Sequence, residues 1–121
     1  MLSHNEFRFC FTIRDGEQTR AYEAIGFLRP DETSCLGTDM LERVSLENDG
    51  AITAEDGKLI FEHMQELPFD LCEKFLVTAW RRPTEPNTVC CFGWEVGRWF
   101  HFTDSLLLGF NEKYLVVRRA T

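Results

Sequence analysis

The sequence predicts an α+β fold: a mostly antiparallel sheet of about five to six strands, with two consecutive helices inserted after an N-terminal strand or hairpin. Three observations lead there. A period-two apolar pattern opens the chain, helix signals are confined to the stretch between Thr38 and Leu67, and a β pattern returns from Lys74 onward. Helices and strands thus come in separate runs, not in the alternating units of a parallel α/β sheet. At 121 residues the chain fits one domain, residues 1–121, long enough to hold a core without disulfide or metal.

Glu6 to Arg14 reads EFRFCFTIR, with Phe7, Phe9, Phe11 and Ile13 alternating against Arg8, Cys10, Thr12 and Arg14. That alternation predicts a strand with one apolar side. Asp15-Gly16 is a hairpin dipeptide, so Thr19 to Leu28 is expected to return as a second strand, the alternative being a short helix over Glu17 to Ile25. Arg29-Pro30-Asp31 ends the element.

Thr38 is the expected N-cap of a helix reaching about Leu46, and Asn48-Asp49-Gly50 is a turn. Thr53-Ala54-Glu55-Asp56 reads as a capping box with Asp in place of Glu. The helix it starts is expected to run to about Leu67 and to stop at Pro68. Leu59, Ile60, His63, Met64 and Leu67 form its apolar stripe, and Glu55, Glu62 and Glu66 line another edge. Strands are then expected at Phe75–Trp80, Val89–Glu95, Arg98–Thr103 and Tyr114–Arg118, with a loop of two prolines, Pro83 and Pro86, after the first.

The net charge of −7 is unevenly spread: Asp31 to Glu73 holds twelve acidic residues against two basic ones, Arg43 and Lys58. Such a surface repels nucleic-acid phosphates and attracts basic partners, or serves only as a solvated face. Arg81-Arg82 and Arg118-Arg119 are too few to reverse this, so nucleic acid is not the expected partner. No run approaches the roughly 20 apolar residues of a membrane span, and MLSHNEFRF lacks the basic and apolar regions of a secretory signal. The five cysteines (Cys10, Cys35, Cys72, Cys90, Cys91) are odd in number and lack C-x-x-C spacing, which fits reduced thiols in a cytoplasm.

Ser45 to Asp56 partly resembles an EF-hand calcium loop, with Gly50 at the sharp turn, Ile52 two places on, and acids at Glu47, Asp49 and Asp56. Ser45 stands where the first carboxylate is required, and Asp56 is shorter than the usual bidentate Glu. A turn followed by a capped helix accounts for the same residues. No zinc spacing, P-loop, dinucleotide fingerprint or nucleophile elbow is present, so no catalytic residue, metal or cofactor is assigned.

Two functional readings follow. In the first, the chain is a small, acidic, non-enzymatic interaction domain of inhibitor, immunity or accessory type. It meets a basic protein through the edge of Glu55, Glu62 and Glu66, where like charges at helical spacing cost a few tenths of a kcal/mol. The alternative is a small-molecule or enzymatic site on the aromatic hairpin TVCCFGWEVGRWFHFTD. With Val96-Gly97 as a two-residue loop, Glu95 faces Arg98, Trp94 faces Trp99 and Phe92 faces His101. Trp94, Trp99 and His101 then share one face. Both faces of this hairpin are apolar, which predicts either cover on both sides or an exposed aromatic platform.

Overall fold

Alternation builds the first hairpin in the computed structural model, which describes residues 6–47, 53–78 and 84–120. β1 (Arg8–Asp15) buries Phe11 and Ile13 and exposes Thr12 and Arg14. Gly16, at φ 63°, turns the chain into β2 (Gln18–Ile25), so this segment is a strand and not the short helix weighed for it. Its return is in register, with Phe11 opposite Tyr22 and Asp15 opposite Gln18.

A three-residue strand, β3 (Ser34–Leu36), precedes α1 (Gly37–Glu47). Thr38 therefore lies inside the first turn of the helix, not at its cap. α2 (Ala54–Glu62) starts on the predicted capping box: the Thr53 hydroxyl accepts from the Asp56 N–H, and the Asp56 carboxylate accepts from the Thr53 N–H. The helix stops five residues before the predicted end. The His63 N–H is shared between the Leu59 and Ile60 carbonyls, and a single 3₁₀ turn, Met64–Glu66, follows. Leu67 is extended (ψ 141°), as a residue before proline prefers.

β4 (Phe75–Val77), β5 (Thr88–Glu95), β6 (Arg98–Ser105), β7 (Gly109–Asn111) and β8 (Tyr114–Arg119) complete the chain. The end of the strand predicted to reach Trp80 lies outside the described residues. The main sheet has the order β1-β2-β8-β4-β5-β6, antiparallel except for the β4–β8 pair. β3 and β7 form a separate two-stranded ribbon. The fold is thus α+β, with one six-stranded sheet and a small second one.

The two helices lie on opposite faces of the sheet. Leu59 and Ile60 of α2 join Phe11, Ile13, Tyr22, Leu76, Phe92, Trp99, Leu115 and Val117 in one core. Met40 and Val44 of α1 join Ile25, Val77, Val89, Cys91, Phe110 and Val116 in the other. β5 contributes alternate residues to both, which explains why neither face of the aromatic hairpin is polar. Each buried Leu, Ile, Val or Phe contributes about 1.5–3 kcal/mol of transfer free energy to these layers.

The sheet curls until one turn reaches both of its outer strands. Gln65 pairs with the edge of β6 at Trp99: its Nε2 donates to the Trp99 carbonyl (2.9 Å) and its Oε1 accepts from the Trp99 N–H (3.1 Å). The next residue, Glu66, accepts from the Arg14 N–H on the edge of β1 (3.2 Å).

Candidate functional site

Polar residues inside the fold form two internal knots. On the α1 face the buried Arg118 donates from Nε to Glu23 (2.7 Å) and from Nη1 to the Val44 carbonyl (3.3 Å), and Arg8 reaches Glu23 from outside (3.1 Å). On the α2 face the fully buried Asp56 accepts from the Thr53 N–H and hydroxyl, the Tyr22 hydroxyl (2.9 Å) and Arg119 Nε (2.8 Å), with Arg20 at 3.5 Å. Burial alone would raise this carboxyl. The Thr53, Tyr22 and Arg119 donors outweigh it and hold Asp56 below the usual carboxylate range. Burial, together with the bond to Asp56, pushes the Tyr22 hydroxyl up to about 12. Asp56 is thus committed to the capping box and the sheet, its oxygens taken by donors of the protein itself. Residues 48–52 of the stretch that resembles a calcium loop lie outside the described residues. Among the described residues no group of three or more His, Cys, Asp and Glu is placed to hold a metal ion.

The three predicted acidic residues separate. Glu55 and Glu62 are both exposed on α2 and line a cleft of about 240 Å³ with Asp15, Arg20, Lys58 and Leu59. Asp15 and Arg20, on its hairpin wall, are ion-paired with each other at 3.5 Å. Among the described residues Glu55 and Glu62 make no ion pair. Glu66 belongs to the 3₁₀ turn and bonds the Arg14 N–H and His63 Nδ1 (2.8 Å), so it braces the sheet instead of continuing the helix edge. That correction follows from the early end of α2. Asp15 and Arg20, which complete the cleft, come from the β1–β2 hairpin and carry no sequence signal that joins them to a helix some 40 residues on.

The aromatic hairpin has the predicted register: Glu95 opposite Arg98, Trp94 opposite Trp99, Phe92 opposite His101. Trp99 is 2% exposed, and its Nε1 donates to the Leu67 carbonyl (3.1 Å). Trp94 is wedged between Trp99 and Phe69 with edge-on ring contacts, at 5.7 and 5.4 Å between centroids. His101 is exposed and packs edge-on against Phe61 of α2 (4.6 Å). The indole N–H of Trp99 is thereby used within the core.

The acidic surface is divided in the same way as the helices. Asp39 and Glu42 are exposed on α1, Glu55 and Glu62 on α2, so opposite faces of the sheet each carry part of the negative charge. Glu32 is held by Arg43 (2.6 and 3.0 Å) and by the Arg29 N–H (2.8 Å), which bring its carboxyl down to about 2. No helix among the described residues is long and apolar enough to cross a membrane. Comparison with known proteins finds no matching family model, no matching curated protein and no matching solved structure.

Proposed function

We propose that this chain is a small, acidic, non-enzymatic interaction domain that works in a reducing cytoplasm and engages a basic protein partner through α2. One observation carries the reading: Glu55 and Glu62 share a solvent-open cleft with Asp15 and, among the described residues, form no ion pair. The buried acids Asp56 and Glu23 are, in contrast, paired internally. A lysine or arginine from a partner entering the cleft would find two exposed carboxylates, Glu55 and Glu62, there to pair with. Long-range attraction from the acidic surface raises the association rate, and the affinity comes from a few desolvated contacts.

The test leaves Glu66 in place, because it braces β1. Protein immobilised on a column is exposed to lysate of its own source at low salt, and the retained protein is identified. Its affinity is then measured for the wild type and for Glu55→Lys/Glu62→Lys. The reading expects a loss of tenfold or more, carried by a slower association rate and lessened by salt, with the circular dichroism spectrum retained. Equal affinity of the two proteins overturns it.

A further inference from the structure

We propose that the outer edge of β6 is a self-association surface, on which a second copy of this chain pairs antiparallel about a two-fold axis at Phe102. β6 is the last strand of the main sheet. Peptide groups alternate in direction along a strand. The Trp99 N–H and carbonyl point outward to Gln65, so those of His101, Thr103 and Ser105 point outward as well. The two ends of this row are closed by side chains. Gln65 takes both groups of Trp99, and Asp104 Oδ1 accepts from the Ser105 N–H (3.2 Å). Between them, His101 and Thr103 present their peptide groups with no partner among the described residues. An open strand edge of this kind is a template for another strand.

Two open positions flanking one residue fix the register. With the axis at Phe102, His101 lies opposite Thr103 of the second copy and Thr103 opposite its His101, giving about four peptide hydrogen bonds. An axis at His101 or Thr103 would instead direct one pair at the closed Trp99 or Ser105. The side chains agree with this register. Phe100 and Phe102 are half-buried, in tilted ring contact with each other (5.7 Å) and continued by Phe75 (5.4 Å to Phe102). Pairing sets Phe102 against its own copy at a non-hydrogen-bonded position, where side chains are closest, and joins two aromatic clusters into one. Arg98 of each copy becomes the diagonal neighbour of Asp104 of the other, an opposite-charge pair within reach of an arginine. An isologous contact of this kind closes on itself and stops at a dimer.

Sedimentation equilibrium over about 1–200 µM tests this, against a chain mass of 14.1 kDa. The expected result is a reversible dimer. Thr103→Pro removes only an outward N–H and is tolerated on an edge strand. It is expected to raise the dimer dissociation constant at least tenfold with the circular dichroism spectrum retained. Phe102→Cys, in a Cys10→Ser background, is expected to form an intermolecular disulfide under mild oxidation, and Phe100→Cys alone is not. A monomer at all concentrations overturns the proposal. So does a dimer that is indifferent to Thr103→Pro and yields no Phe102→Cys cross-link.

Discussion

Gln65 and Trp99 meet as two peptide groups meet in a sheet: the side-chain amide gives one hydrogen bond to the strand and takes one from it, at 2.9 and 3.1 Å. A side chain here completes one residue's worth of strand pairing. The contact belongs to the 3₁₀ turn, so it also fixes where α2 ends relative to the sheet. Gln65→Ala leaves the Trp99 N–H and carbonyl to water and releases the turn. We expect a loss of about 1–2 kcal/mol in urea unfolding. Gln65→Glu retains one acceptor but sets a carboxylate against the Trp99 carbonyl, and is expected to lose as much.

Asp56 receives hydrogen bonds from three separate elements, so removing it leaves the Tyr22 hydroxyl and the Thr53 N–H without an acceptor. Asp56→Ala is expected to cost about 3 kcal/mol in chemical denaturation. The pH dependence has a definite sign. The Asp56 and Glu32 carboxyls have folded values below their ordinary ones, so their contribution is present above the unfolded pKa. It is lost as pH falls through the folded values. Thermal unfolding followed from pH 6 down to about 2 should show the midpoint falling chiefly below about pH 4.5. Asp56→Asn should shallow that fall.

Val96 sits in the left-handed region at φ 51°, with 94% of its surface exposed. A β-branched residue is strained there and has no packing to offset the strain. With Gly97 at φ 81° the turn has both central residues at positive φ, the conformation that favours Asn-Gly. Val96→Asn is expected to stabilise the protein by about 1 kcal/mol, seen as a higher melting temperature.

Gly37 begins α1 where it crosses the β6–β7 connection. A Cβ there would stand 2.7 Å from the Leu106 Cα and from the Phe110 ring. The backbone of Leu106 has nowhere to move without displacing β7. Gly37→Ala should therefore destabilise by about 2–3 kcal/mol in urea unfolding, although alanine is the better helix former.

The cysteines differ in access. Cys10 is exposed on β1, and Cys91 is fully buried with its thiol pushed well up by burial, followed by the nearby Asp104. Labelling of the native protein with a maleimide, read by mass spectrometry, should modify Cys10 first. Cys91 should follow only at the rate of unfolding.

Much of the architecture was legible because it rests on local signals. The alternation of Phe7 to Ile13, the Thr53–Asp56 box and the Val96-Gly97 turn each dictate structure within a few residues. β3 and β7 were not legible: three residues carry no readable period, and their pairing joins Cys35 to Phe110 across most of the chain. The end of α2 was misread because the stripe of Leu59, Ile60, Met64 and Leu67 continues past it. Only the sheet edges decide that Gln65 and Glu66 turn outward. The candidate site was half visible. Glu55 and Glu62 follow from helical spacing, but Asp15 and Arg20 reach the cleft through tertiary packing.

The last strand is not at the margin of the main sheet. β8 lies between β2 and β4, touching the N-terminal hairpin on one side and the later strands on the other. As the polypeptide is synthesised, two partial sheets come first, each with an open side, and neither can bond to the other. Tyr114 to Arg119 then supply the seam between them and carry Arg118 to Glu23 and Arg119 to Asp56. Cooperative folding therefore waits for Tyr114 to Arg119, and both partial sheets depend on the prompt arrival of that strand to avoid pairing with strangers.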